Sequence, residues 1–312
     1  MNFKPILIVA GSPKSIFLEI FFKSLDHKKY KKPLVLICSK KLLTKYMVKR
    51  KIKKKIKVLE KNSFKITKLD NKSINLIDIE YKINDSQSYI KNSFNMAFRI
   101  IKKGITDKLI NGPVSKSKFL KGVFPGMTEY ISSHFNVKNN AMLIFNENLS
   151  VCPVTTHLPI REVSKNISKK IIKDKIILVD KFYRKIILKK PNIAVLGLNP
   201  HCETFGNLDE DNEIIKPVIS SLNKKIKISG PYPADTIFLK NNRKKFDVII
   251  GMYHDQVLTP LKTLFEYDAI NITLGLPFIR VSPDHGPNEK MIDKNKSDPE
   301  SLIKAISFLD KN

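Results

Sequence analysis

The sequence predicts an α/β protein with a mainly parallel sheet, and three observations predict it. Short apolar runs alternate with stretches of helical period along most of the chain. The polar phrases that stand out lie just past those runs, where open α/β sheets place ligands. The length, 312 residues with 42% hydrophobic, suits a sizeable core and favours two ordinary domains over one.

In chain order, Pro5–Gly11 reads as a buried strand, and Ser15–Leu25 as a helix with Ile16, Ile20 and Phe21 on its apolar face. Pro33–Cys38 is a second strand and Asn75–Ile79 another. Ser86–Lys103 has helical period, and Asp107–Asn111 returns as a short strand. Further strands are expected at Ala141–Phe145, Ser150–Val154, Asn192–Gly197, Asp247–Met252 and Asp268–Thr273, with one long helix over Ser168–Lys189. Gly and Pro cluster at Lys121–Gly126, which marks the expected domain break. There is no internal repeat and no long Gly/Ser linker.

Composition narrows the function. No stretch reaches the ~18 consecutive apolar residues of a membrane helix, and the N-terminus lacks the pattern of a signal peptide, so a cytoplasmic protein without a membrane partner is expected. Cys38, Cys152 and Cys202 are too few and too far apart for a disulfide framework or a zinc knuckle. The net charge of +28 raises nucleic acid as a partner, most of all in the basic run Lys40–Lys61. Only six of the 57 basic residues are Arg, Trp is absent, and the run has few aromatics. Arg favours bidentate phosphate and base recognition, so the run reads as a solvated lysine face and no nucleic-acid partner is expected.

Three of the six histidines directly follow apolar strands: His157 after Val151–Thr156, His201 after Ile193–Leu198 and Asn199-Pro200, and His254 after Val248–Tyr253. A parallel sheet would bring these ends to one edge. Three imidazoles with an open position suit a catalytic divalent metal. The competing reading is three separate histidines that cap loops or are satisfied in the core.

Lys262, Asn271 and Arg280 follow, and Lys with Arg near a metal suits a carboxylate or phosphate. Arg280 weighs more because Arg is scarce; surface salt-bridging competes for Lys262. Lys116 closes Asn111-Gly112-Pro113-Val114-Ser115-Lys116, a strand-to-helix turn whose amides suit an anion. Asp235 reads either as an N-cap or as a general base. There is no Gly-x-Gly-x-x-Gly and no Walker sequence, so a conventional Rossmann or P-loop site is excluded.

Several long phrases occur in order: Thr155-Thr156-His157-Leu158-Pro159, Gly197-Leu198-Asn199-Pro200-His201, Gly230-Pro231-Tyr232-Pro233-Ala234-Asp235-Thr236, Met252-Tyr253-His254-Asp255-Gln256, and Asn271 to Arg280 with Asp284-His285-Gly286 beyond. Together they resemble the 4-hydroxythreonine-4-phosphate dehydrogenase family of vitamin B6 biosynthesis, from about residue 5 to the C-terminus. The resemblance implies two α/β/α domains like those of isocitrate and isopropylmalate dehydrogenases, with the active site in the cleft. The first would comprise 1–121 plus a C-terminal helix at about 297–312. The second, 122–296, would carry the metal site and the dimer interface. The resemblance also implies a homodimer with the metal shared across its interface, and metal binding by His157, His201 and His254. Substrate contacts are implied at Thr128, Lys262, Asn271 and Arg280. The implied cofactors are a divalent metal (zinc, magnesium or cobalt) and NAD or NADP. The implied reaction is oxidation of 4-phosphooxy-L-threonine followed by decarboxylation.

Departures from the family pattern leave other activities open. Met127 stands where the family has a substrate-contacting His. The family's Gly-rich N-terminal loop has become Gly11-Ser12-Pro13-Lys14-Ser15-Ile16-Phe17, and Pro287-Asn288-Glu289-Lys290-Met291 replaces a Gly-rich stretch. The alternatives are a dehydrogenase of another phosphorylated four-carbon hydroxy acid and a metal-dependent hydrolase or lyase that has lost NAD.

Overall fold

In a computed structural model of the chain, residues 3–61, 69–203, 209–283 and 286–312 are described, with only the backbone at Lys116. They divide into two compact units, 1–135 with 277–312, and 136–276.

The first unit holds β1 (Ile6–Val9), β2 (Leu34–Cys38), β3 (Ile56–Val58), β4 (Ile74–Asp78), β5 (Lys108–Asn111) and β12 (Ile279–Pro283). Their order is β3-β4-β2-β1-β5-β12, and every pairing is parallel. Parallel strands covered on both faces read as continuous apolar runs, and Ile6–Val9 and Leu34–Cys38 are buried throughout. The helices are α1 (Phe17–His27), α2 (Lys40–Lys49), α3 (Ser86–Lys102), α4 (Lys116–Leu120), α5 (Met127–His134) and α11 (Glu300–Lys311). Helix α2 explains half of the basic run. Ser39 caps it, accepting from the Leu42 amide, and it buries Leu43 and Met47 while most of its lysines stay at the surface. Helix α11 buries Leu302, Ile306 and Leu309 completely, about 1.5–3 kcal/mol for each side chain.

This unit does not end at the Lys121–Gly126 stretch. An aromatic cluster carries it on through α5: Tyr130 packs 5.1 Å from Phe119 and 5.8 Å from Phe94, and Phe98 lies 5.2 Å from Phe135. Pairing of β12 with β5 also brings 279–283 into this unit, where the sequence suggested the second. Local Gly and Pro mark turns; which side of a turn belongs to which core is decided by such distant contacts.

The second unit holds β6 (Ala141–Phe145), β7 (Ser150–Pro153), β8 (Ile193–Leu196), β9 (Ile228–Tyr232), β10 (Val248–Gly251) and β11 (Ile270–Leu274), in the order β11-β6-β7-β10-β8-β9. The β11–β6 and β6–β7 pairs are antiparallel; β7, β10, β8 and β9 run parallel. Helices α6 (Lys169–Phe182), α7 (Lys216–Leu222), α8 (Ala234–Ile237), α9 (Lys240–Arg243) and α10 (His254–Phe265) complete it. Its core includes Ile144, Val151, Leu196, Ile249, Val257 and Leu261. The long helix expected over Ser168–Lys189 is capped by Ser168 but passes at Tyr183–Ile187 into a π turn that closes on a left-handed Leu188. Among the described residues no helix is long and apolar enough to cross a membrane.

Candidate active site

The four parallel strands of the second unit put their carboxyl ends on one edge. His157 lies in the loop after β7, His254 opens α10 directly after β10, His201 sits in a 3-10 turn after β8, and Asp235 lies in α8 after β9. Since β7 and β10 are neighbours, His157 and His254 come together, with ring centroids 6.2 Å apart. They line a cavity of about 190 Å³ with Thr155, Thr156, Leu158, Ile160, Val163, Tyr253 and Asp255.

His201 does not join them. Among the described residues no group of three or more His, Cys, Asp or Glu is placed to hold a metal, so the expected trio is not assembled within one chain. The reason lies in the strand order and in the anchoring of the His201 loop. That loop leaves β8, beyond β10 from β7. Gly197 N donates to Tyr232 O of β9 (3.0 Å). The buried Asp211 carboxylate accepts from Leu198 N (2.9 Å), Asn199 N (3.1 Å) and Asn199 Nδ2 (3.0 Å). His201 and Cys202 both take positive φ, 59° and 60°, strain that the anchored loop sustains.

The chemistry of the near pair fits a divalent metal. His254 Nδ1 and Asp255 Oδ1 are 2.7 Å apart. A carboxylate on Nδ1 leaves Nε2 as the metal-facing nitrogen, the usual arrangement around a ligating histidine. Two imidazoles bound tetrahedrally at about 2.1 Å would have centroids roughly 5 Å apart, so a shift of about 1 Å would let this pair share one ion.

Asp235 is not the N-cap of its helix. Pro233 occupies that position, and Asp235 is an exposed residue of the first turn. Lys262 lies half-buried near the end of α10. Asn271 is on β11, and its Oδ1 is buried with no hydrogen-bond partner among the described residues. Such an atom costs about 1–3 kcal/mol, which a donor on a ligand would recover.

The first unit carries the other candidates. Met127 and Thr128 open α5, both buried. In the same turn Glu129 Oε2 is buried with no hydrogen-bond partner among the described residues. Arg280 on β12 is 3% exposed, and its Nε donates to Asn111 Oδ1 at the end of β5 (2.7 Å). Burial pushes the guanidinium down to about 10, against the pull of Glu129, so it stays charged at neutral pH. Lys116 begins α4; its side chain and the phrase Asp284-His285 lie outside the described residues. The altered N-terminal loop turns Ile16 and Phe17 into the core, at 5% and 1% exposure, and Ile16 N donates to Pro287 O (3.1 Å).

Three supporting residues were not singled out by sequence reasoning. Asn111 was visible only as the polar end of a strand. Gln256 follows His254 by two residues, and nothing in its local sequence marks a role. Asp211 had no signal, because nothing local links it to the Leu198 turn thirteen residues earlier.

Comparison with known proteins bears on the fold and the family. Residues 29–309 match the family model described as "Pyridoxal phosphate biosynthetic protein PdxA". A 4-hydroxythreonine-4-phosphate dehydrogenase of Sulfurihydrogenibium sp. (strain YO3AOP1) is 36% identical, over 97% of this chain and 96% of its own. A D-threonate 4-phosphate dehydrogenase of Pectobacterium atrosepticum is 33% identical, over 69% of each. The structure of a putative 4-hydroxythreonine-4-phosphate dehydrogenase from Salmonella typhimurium superposes with a TM-score of 0.85 at 29% identity, covering 99% of both chains. Isocitrate dehydrogenase from Methylococcus capsulatus, at 11% identity and a TM-score of 0.52 over 99% of this chain and 86% of its own, shares the fold. The chain is therefore a member of the PdxA family of pyridoxal phosphate biosynthesis, whose curated relatives are dehydrogenases.

Proposed function

We propose that the protein oxidises 4-phosphooxy-L-threonine with NAD to 2-amino-3-oxo-4-phosphooxybutanoate, which loses carbon dioxide to give 3-amino-2-oxopropyl phosphate. The observation that carries this reading is the His157–His254 pair, with Asp255 on the outer nitrogen of His254, at the carboxyl edge of the parallel strands. His157 and His254 hold a divalent ion with His201, which comes from the second copy of a homodimer because its own loop is anchored apart. Bound there, the ion supplies Lewis acidity at the substrate's hydroxyl oxygen.

The remaining steps fall to side chains and the cosubstrate. Arg280 and Thr128 bind the phosphate, and Arg280 is pre-oriented by Asn111. Lys262 holds the carboxylate. Asn271 Oδ1 accepts from the substrate's ammonium group, which satisfies an atom with no partner among the described residues. Asp235 takes the hydroxyl proton while the hydride on the same carbon passes to NAD. The C1–C2 bond then breaks, its electron pair moves into the new ketone as an enolate, and C2 regains a proton.

The test is direct. Purified protein with zinc, magnesium or cobalt, NAD and 4-phosphooxy-L-threonine should generate NADH absorbance. No NADH from this substrate or any related phosphorylated hydroxy acid would refute the dehydrogenase reading. A second substrate, D-threonate 4-phosphate, is favoured by one observation. A relative at 33% identity, over 69% of each chain, bears that substrate's name.

A further inference from the structure

The three histidine-bearing turns of the second unit leave their strands where the main-chain ladder ends, so something else must set the gaps between them. Between β7 and β10 the ladder is extended by Thr155. Its N–H and its Oγ1 both donate to Met252 O, at 3.1 and 2.7 Å. Between β10 and β8 the crosspiece is a side chain, that of Gln256. Its Oε1 accepts from Met252 N at 2.6 Å, and its Nε2 donates to Gly197 O at 2.8 Å. Gly197 is in turn held by Tyr232 O, and the next two amides by Asp211. Hydrogen bonds thus link Thr155 through Met252 and Gln256 to Gly197, and Asp211 holds the next two residues of the same turn. His157 lies two residues past Thr155, His254 two past Met252, and His201 four past Gly197.

Gln256 crosses close over the backbone. A Cβ on Gly251 would meet Gln256 Oε1 at 2.9 Å and Val257 Cγ1 at 2.4 Å, and a Cβ on Gly197 would meet Asp211 Oδ1 at 2.6 Å. A side chain at Gly251 would therefore crowd Gln256 itself, and one at Gly197 would crowd Asp211.

We infer that Gln256 is a positioning residue for the metal site: its amide fixes the spacing between the His254 turn and the His201 turn. The inference rests on the metal reading above. In a two-fold dimer each copy gives its His157–His254 pair to one site and its His201 to the other. The spacing inside one copy then decides whether both sites close at once, so an error at Gln256 is felt at both. Only the amide does this. A carboxylate would keep the acceptor for Met252 N but set an oxygen against Gly197 O, and an apolar side chain would lose both bonds.

The experiment compares cobalt binding by the full-length protein and by Gln256→Met and Gln256→Glu, using equilibrium dialysis and the visible absorption of bound cobalt, which reports ligand geometry. Tyr183→Phe serves as a structural control, because its hydroxyl donates to Ser150 Oγ (2.9 Å) at the opposite end of β7. Both Gln256 variants should bind cobalt about 10–100-fold more weakly, the range for lost outer-shell partners of metal ligands, with altered cobalt absorption and a Tm no lower than that of the control. The control should keep its affinity and spectrum. If both Gln256 variants bind cobalt as tightly as the unaltered protein with the same spectrum, the positioning role is overturned while the metal reading stands. If the unaltered protein binds no cobalt, the metal reading itself fails and this inference with it.

Discussion

Asp211→Asn is the sharpest test of how the His201 loop is held. The carboxylate is fully buried and accepts three N–H donors, all from Leu198 and Asn199. An asparagine of the same shape offers one oxygen to one side and an NH2 to the other. At least one charge-assisted bond is lost, about 1.5–3 kcal/mol, and one buried backbone N–H is left facing a second donor, about 1–3 kcal/mol. Relaxation of the turn recovers part of this, so the expected loss is about 3 kcal/mol. At roughly 2–4 °C per kcal/mol for a domain of this size, Tm should fall by about 6–12 °C. Thermal melting by circular dichroism measures the total. Amide hydrogen exchange locates it: Leu198 and Asn199 should lose protection while the β10 amides keep theirs. A variant within about 0.5 kcal/mol of the parent, with both amides still protected, would refute the claim that Asp211 holds this loop.

Other outcomes follow from the same structure. Arg280→Lys removes the planar donor to Asn111 Oδ1, so KM for the phosphorylated substrate should rise at least about tenfold; steady-state NADH assays check it, and an unchanged KM would remove Arg280 from the phosphate site. Met127→His introduces an ionisable donor next to Thr128, and the ratio of kcat/KM for 4-phosphooxy-L-threonine over D-threonate 4-phosphate should change several-fold; an identical ratio would show that this position does not select substrate. Cys38 and Cys152 are fully buried, and burial pushes both thiols up, Cys152 to about 12. Cys202, raised by burial and then by Asp211, is partly exposed. Iodoacetamide at pH 8 should therefore label Cys202 first, and mass spectrometry showing Cys38 or Cys152 labelled ahead of it would contradict the burial pattern.

Much of this protein is determined by local sequence. Continuous apolar runs such as Ile6–Val9 and Leu34–Cys38, too short for helices and bounded by Gly or Pro, form strands buried on both faces, and their alternation with amphipathic helices leads to parallel sheets. The strand ends that carry His157, His201 and His254 were legible for the same reason, since ligand-bearing loops follow the carboxyl ends of such strands, whereas the strand Ile228–Tyr232 before Asp235 was not. Strand order was not legible. It depends on which non-local pairings bury the most surface, and it makes neighbours of β7 and β10, hence of His157 and His254, while His201 goes with β8. Nor could the sequence reveal that an aromatic cluster draws α5 into the first unit. The same holds for Asn111 reaching Arg280 and for Asp211 and Gln256 gripping turns far from them in the chain. Those contacts join residues whose separation along the chain carries no periodic signal, and only the folded backbone brings donor and acceptor within 3 Å.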